Sequence, residues 1–260
     1  MTDYSKQLHQ EMTTFQHRYG ENLYKIYTSL IDYLAGYLDW TGHPVTGWSY
    51  SAEQNESFRK MSQIALSAIA DGQDANGWYD LFGDIFMLHL ADKDRRGQCF
   101  TPEGIANLCA KISFNNAEIE SAKMPCGFFG TRYILSDPAC GSGRLMLAGS
   151  YHFVKTYDNY PFAVCEDIDT ICVKQTAINL ALHGFYGEVV CHDSLREPDN
   201  LRFGYIVNEG MYPIRDGLPS LRYSEDPKHF ICTRHWSQMK GTPNQADEKK
   251  KPIQLTLFDL

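Results

Sequence analysis

One stretch constrains the fold more than any other. The apolar run Tyr133-Ile134-Leu135 leads into Asp137-Pro138-Ala139-Cys140-Gly141-Ser142-Gly143, and a segment of helical character follows from Gly143 to Thr156. A glycine turn between a strand and a helix lets the backbone approach a ligand closely, and the helix N-terminus behind it favours negative groups. The alternation then repeats. Phe162–Cys165, Glu188–Cys191 and Tyr205–Val207 read as strands, and Ile168–His183 as a second helix. Strand-helix units joined by right-handed crossovers build a parallel sheet, so the spacing predicts an α/β, doubly wound architecture from about residue 97 onward.

The chain before that point reads differently. Leu23, Tyr27, Leu30, Ile31, Leu34 and Leu38 recur at helical spacing, and Thr41 to Gln54 interrupts them with glycine and proline. Further helical runs cover Glu56 to Ala70 and Trp78 to Ala91. Residues 1–96 are therefore expected to form an N-terminal helical domain whose apolar stripes pack into a core. Residues 97–236 hold the strand-helix units. Residues 237–260 read as a flexible tail, with a charged linker at Ser237–Lys251 and a short apolar end at Ile253–Leu260.

Bulk properties narrow the function. No apolar run approaches the length of a membrane span, and Met1–Gln16 is too polar for a signal peptide, so a cytoplasmic protein is expected. The eight cysteines are scattered, with no Cys-x-x-Cys pair, which predicts free thiols and no metal site. With 24 basic against 32 acidic residues the formal charge is -8, so the chain is not expected to grip DNA strongly without a partner. A nicotinamide-dependent oxidoreductase is disfavoured, because Met146 stands where the dinucleotide fingerprint needs a third glycine.

The complete heptad Asp-Pro-Ala-Cys-Gly-Ser-Gly resembles the first motif of N6-adenine DNA methyltransferases, above all the modification subunits of type I restriction systems. That resemblance implies a Rossmann-like sheet that binds S-adenosylmethionine. Asp137, Ala139, Gly141 and Gly143 would wrap the methionine end, with the acid near its amino group. Further similarities fall in the family's order. Gly97-Gln98-Cys99-Phe100-Thr101-Pro102 is similar to the family's Gly-Gln-Phe-Phe-Thr-Pro motif, preceded by Phe82-Gly83-Asp84-Ile85-Phe86 as the helix leading into it. It implies that Gln98, Phe100 and Thr101 lie over the cofactor, with Cys99 in place of the usual aromatic. Cys165-Glu166-Asp167-Ile168-Asp169 closes a strand where a carboxylate can accept both ribose hydroxyls. Asp167 matches the family's acid, Glu166 is the alternative, and Ile168 lies beside them. Ala177-Ile178-Asn179-Leu180-Ala181-Leu182-His183-Gly184 is close to family text, with His183 read as a structural helix end. Cys191-His192-Asp193-Ser194-Leu195 resembles Gly-Asp-Ser-Leu, which implies that Asp193 and Ser194 meet the adenine.

The family's catalytic segment, Asn/Asp-Pro-Pro-Phe/Tyr after the fourth strand, is degenerate here. An exocyclic amine is a poor nucleophile because its lone pair is delocalised. In the family the Asn side chain and a Pro carbonyl accept its two hydrogens, and the aromatic ring stacks on a flipped base. Here Val207 is followed by Asn208-Glu209-Gly210-Met211-Tyr212-Pro213. Asn208 stands in the family's place and Tyr212 is the nearest ring that could stack. Neither proline follows Asn208, and Gly210 loosens a loop that proline would stiffen. With the chain ending soon after, the resemblance is to a truncated family member.

Gln254-Leu255-Thr256-Leu257-Phe258 resembles the bacterial sliding-clamp-binding pentapeptide, in which Gln254, Leu255, Leu257 and Phe258 would fix register and fill pockets. The alternation of Ile253, Leu255 and Leu257 equally suits an edge strand on the chain's own sheet. Two functions follow from the whole reading. One is an S-adenosylmethionine-dependent DNA adenine N6-methyltransferase of a restriction-modification system or mobile element, working with a specificity subunit or recruiter. The other is a catalytically inactive, DNA-associated accessory protein that binds the same cofactor and is brought to DNA by the clamp.

Overall fold

The computed structural model describes residues 3–45, 47–90, 98–114, 124–126, 130–195, 200–209, 218–233 and 255–256. Four helices come first: α1 (Asp3–Tyr19), α2 (Leu23–Leu38), α3 (Ala52–Asn76) and α4 (Leu81–His89). Their starts are set by side chains that accept otherwise unpaired backbone N–H groups. Asn22 caps α2, Ser51 and Gln54 form a reciprocal capping box on α3, and Asp80 caps α4. Helix α1 carries few apolar residues, yet Leu8, Met12 and Phe15 line one face and are buried. Helix α5 (Glu103–Ser113) follows Pro102, the Thr-Pro start noted in the sequence.

A two-stranded ribbon, β1 (Met124–Pro125) with β2 (Thr131–Arg132), precedes the main sheet. The sheet proper is built from β3 (Ile134–Asp137), α6 (Arg144–Tyr157), β4 (Phe162–Asp167), α7 (Thr170–Leu182) and β5 (Tyr186–Cys191). These three strands are parallel and adjacent, as the sequence spacing predicts for a Rossmann-like α/β unit. Then come β6 (Phe203–Val207), β7 (Leu221–Ser224) and β8 (Leu255–Thr256), giving the order β7-β6-β5-β4-β3-β8.

The Rossmann-like α/β class holds, and two features set the sheet apart from a wholly parallel one. Strand β6 runs antiparallel to β5, and β7 antiparallel to β6. A parallel return needs a crossover of a dozen or more residues, usually a helix. Only residues 192–202 separate β5 from β6, and they include Pro198, so the chain turns back instead. The crossover helices α6 and α7 also lie on one face. Leu135, Ala163, Cys165, Val189, Cys191 and Tyr205 point into the large core with them, and that core continues through α1–α4 without a break at residue 96. The opposite face carries Ile134, Phe162, Val164, Val190 and Ile206, closed by Phe230 and Cys232. Buried Glu188 on that face accepts N–H groups from Ile231 at 2.7 Å and Cys232 at 2.8 Å, which fixes the covering segment.

Leu255 and Thr256 pair in parallel with Leu135 and Ser136. That is the edge-strand arrangement. Gln254, Leu257 and Phe258 lie outside the described residues, as do Ser237–Lys251.

Candidate functional site: a carboxylate-edged crevice over the glycine turn

The C-terminal ends of β3, β4 and β5 bring the acidic residues to one edge of the sheet. Asp137 ends β3, Asp167 ends β4, and Asp193 follows β5, with Asp167 in register with Cys191. Ser194 ties the loops together by donating its hydroxyl to the Pro138 carbonyl at 2.9 Å.

The turn between β3 and α6 needs both of its glycines. Gly141 has φ +55° and Gly143 φ +84°, in the left-handed region that glycine enters without strain. A Cβ on Gly143 would sit 2.9 Å from Thr176 Oγ1, and one on Gly141 would meet the Phe100 ring at 3.1 Å. Phe100 thus lies directly on the turn. Asp167 holds the turn from the other side. Its Oδ2 accepts the Gly141 N–H at 2.9 Å and its Oδ1 accepts the Asp169 N–H at 2.8 Å. Burial still raises the Asp167 pKa, because the backbone donors offset only part of the desolvation.

Asp137 is the exceptional group. It is fully buried, its Oδ1 accepts the Ala139 N–H at 3.1 Å, and its Oδ2 has no hydrogen-bond partner among the described residues. Desolvation pushes its pKa up to about 6, opposed by the Ala139 hydrogen bond and reinforced by the nearby charges of Asp167 and Glu166. A buried carboxylate oxygen left unpaired is costly, and a ligand that donates a hydrogen bond there would relieve it.

The remaining sequence candidates line the rim or its supports. Ile168 is 63 % exposed and Leu195 92 % exposed, two apolar side chains beside the acidic edge. Asp193 Oδ1 accepts the Leu195 N–H at 3.1 Å, while Asn200 Oδ1 accepts the Asp193 N–H at 3.1 Å. Gln98 Nε2 lies 3.7 Å from Cys172 Sγ at the start of α7, and the Thr101 carbonyl accepts Arg144 Nη1 at 3.2 Å. Glu166 points to the opposite face from Asp167, as neighbours in a strand must, and its Oε2 lies 2.8 Å from His192 Nδ1. His183 ends α7, donating from Nδ1 to the Asn179 carbonyl at 2.7 Å and accepting the Tyr79 N–H at Nε2, 3.0 Å away.

Asn208 does not join them. Because β6 is antiparallel, Val207 pairs with Gly187 at the beginning of β5, whereas Phe203 pairs with Cys191 at its end. Asn208 therefore sits at the opposite end of the sheet from Asp137, Asp167 and Asp193, roughly 15–20 Å away at strand rise. Its side chain is buried and saturated. Nδ2 donates to the carbonyls of Ala181 at 3.0 Å and Phe185 at 2.8 Å, and Oδ1 accepts the Ser220 N–H at 3.0 Å. With φ +57° it occupies a left-handed position that Asn tolerates better than most residues. The expected meeting of Asn208 with the acids is thus not what the fold presents: here Asn208 ties the end of α7, the residue before β5 and the residue before β7 together. Glu209 beside it pairs with Arg222, with Oε2 2.5 Å from Nε. Tyr212 lies outside the described residues.

One buried network was not foreseen. Asp80, the α4 cap, accepts Ser142 Oγ at 2.6 Å and Arg144 Nε at 2.9 Å on Oδ2, with Gly83 N–H at 2.8 Å and Asn179 Nδ2 at 2.9 Å on Oδ1. Arg144 also donates to Asp84 Oδ1 at 2.7 Å. This cluster locks the glycine turn to α4 and α7. A signal existed: Arg144 follows the last glycine and opens an otherwise apolar helix, so it demanded a buried partner. Arg202, whose guanidinium donates to the Ile168 carbonyl, is a second such rim residue.

Among the described residues no helix is long and apolar enough to cross a membrane. No curated protein matches the chain. Solved structures that resemble it weakly include two type I restriction subunits. One is a modification subunit of a presumed type I restriction enzyme from Vibrio vulnificus YJ016, 16% identical, covering 59% of this chain and 27% of that one, with a TM-score of 0.31. The other is a type I restriction-modification methyltransferase subunit from Streptococcus thermophilus, 20% identical, covering 51% and 26%, with a TM-score of 0.29. The chain thus spans about a quarter of the length of either. Residues 78–232, more than half of the chain, match the N-6 DNA Methylase family, and the chain belongs to that family.

Proposed function

We propose that the crevice binds S-adenosylmethionine. The unpaired, buried Oδ2 of Asp137 carries this reading, because the cofactor's ammonium group is a donor of the right charge for it. Gly141 and Gly143 let the turn pack tightly under Phe100 and against Thr176, which would present its backbone to the methionyl portion. Asp167 would take ribose hydroxyls. Asp193 and Ser194 would face the adenine, with exposed Ile168 as an apolar surface for its ring. The cofactor, when bound, supplies an electrophilic methyl group. The chain's own residues hold and orient it.

Of the two functions expected, the saturated burial of Asn208 favours the non-catalytic one: an S-adenosylmethionine-binding, DNA-associated accessory protein. Family membership favours the other, a DNA adenine N6-methyltransferase with a specificity partner, and in that case the group that activates the amine is not Asn208. We retain residues 1–96, 97–236 and 237–260 as the helical unit, the cofactor unit and the tail. A cytoplasmic location and recruitment by a sliding clamp remain part of the same proposal.

Calorimetric titration with S-adenosylmethionine tests the shared claim, and absence of heat at high micromolar ligand overturns it. Transfer of a tritiated methyl group to unmethylated DNA separates the two functions. Label incorporated by the wild-type chain selects the enzyme.

A further inference from the structure

A second opening lies apart from the crevice. It is a cavity of about 230 Å³ between α2, the first turns of α7 and the helix-bearing face of β6 and β7, beyond β5 from the glycine turn. Its walls are aromatic. Phe203 and Tyr223 are nearly parallel, 18° apart with centroids at 5.7 Å, and Tyr205 stands across both at 82° and 70°. His43 lies flat on Tyr223, 3.8 Å away at 14°. The loop that carries His43 closes against α2 because Gly36 has no side chain. A Cβ there would meet Val45 Cγ2 at 2.8 Å.

The polar groups that face this space accept hydrogen bonds more than they donate them. Asp39 is buried. Its Oδ1 takes the Thr41 N–H, the Thr41 hydroxyl and the Tyr223 N–H, whereas among the described residues Oδ2 takes the Thr41 hydroxyl alone, at 2.8 Å. Asp32 uses Oδ1 for the Lys174 ammonium at 2.6 Å. Tyr205 is 5% exposed, lines the cavity, and its hydroxyl has no hydrogen-bond partner among the described residues. Two carboxylates against one ammonium that is already paired leave the cavity net negative, which repels phosphate. Flat rings offer stacking, and spare carboxylate lone pairs with a phenol hydroxyl suit an exocyclic amine.

We propose that this cavity binds an amino-bearing nucleobase in the form of a free nucleoside. The site is independent of the cofactor reading, since none of its residues touches the glycine turn.

Calorimetry on the full chain tests it with cytidine, because adenosine is itself part of the cofactor expected in the crevice. Uridine, which replaces the amine by a carbonyl, is the control. Cytidine is expected to bind roughly tenfold or more tighter than uridine, the effect of one hydrogen bond to a charged group. Tyr205→Phe keeps the ring and removes only the hydroxyl, and Asp39→Asn keeps the shape and removes the charge. Each is expected to weaken cytidine at least severalfold while leaving the S-adenosylmethionine titration unchanged, and Tyr205→Phe also leaves the melting temperature unchanged. Equal binding of cytidine and uridine, no binding of either, or indifference to both substitutions overturns the proposal. So does tighter binding of a short deoxycytidylate single strand than of cytidine, which would assign the base to nucleic acid. Loss of S-adenosylmethionine heat with cytidine heat retained would sink the crevice reading alone.

Discussion

Arg144 Nε lies 2.9 Å from Asp80 Oδ2, with the Asp80 side chain inaccessible to solvent and that of Arg144 only 7% exposed. Removing one member of such a pair leaves the other charge buried and uncompensated, which costs about 3–5 kcal/mol. Arg144→Met is expected to lower unfolding stability by that order in urea titration. Arg144→Met with Asp80→Asn should recover part of the loss, because the stranded charge is gone. A single substitution costing under about 1 kcal/mol would show that the pair is solvated.

Asp137 makes the crevice sensitive to acid. Its folded pKa of about 6 stands above the unfolded value, so the native state binds the extra proton between about pH 4 and 6. Its ionised form therefore destabilises the fold above pH 6, by about 3 kcal/mol at two pKa units, and stability attributable to this group rises as pH falls through 6. Asp137→Asn should flatten that part of the pH–stability curve. Binding of S-adenosylmethionine runs the other way, weakening as pH drops below 6 because the protonated carboxyl no longer attracts the ammonium. Affinity unchanged between pH 7 and 5 would remove Asp137 from the site.

Gly143→Ala combines a left-handed φ with a contact of 2.9 Å to Thr176 Oγ1. The strain is on the order of 1–2 kcal/mol before the contact is counted. The turn must shift, and S-adenosylmethionine affinity is expected to fall tenfold or more by calorimetry. The same substitution at Gly104, which has open space around it, should leave affinity unchanged.

Asn208→Ala removes three hydrogen bonds at once and takes their side-chain partner from the Phe185 carbonyl and the Ser220 N–H, while the Ala181 carbonyl keeps the Gly184 N–H. About 2–4 kcal/mol of stability should be lost, with cofactor affinity intact. A catalytic residue would behave in the opposite way. Methyl transfer abolished at unchanged melting temperature would restore Asn208 to the active site.

How much of this was legible in the chain depended on how local the cause was. The glycine turn and the acids at the tips of β3, β4 and β5 follow from residues within one strand-turn-helix unit, and the sequence places them correctly. The direction of β6 depended on counting the residues between it and β5 rather than on its own Phe-Gly-Tyr-Ile-Val text, which suits either direction. Motif likeness pointed Asn208 to the crevice and backbone connectivity took it to the other end. The partners of Arg144 could not be read at all, because Asp80 sits 64 residues earlier and the pairing exists only once α4 docks. Helix α1 escaped notice because so much of it is polar, and burial of Leu8, Met12 and Phe15 depends on α3 being present.

The unbroken core between the first four helices and the sheet has a bearing on how this protein can be divided. The carboxylate of Asp80 reaches from the helical half to the turn, to α6 and to α7 together, so neither half keeps its hydrogen bonds in isolation. Melting followed by tryptophan fluorescence, where Trp40, Trp48 and Trp78 report mainly on the helical half, should coincide with melting followed by backbone ellipticity. Helices that resemble a detachable cap by sequence are, in three dimensions, the scaffold to which the glycine turn is fastened.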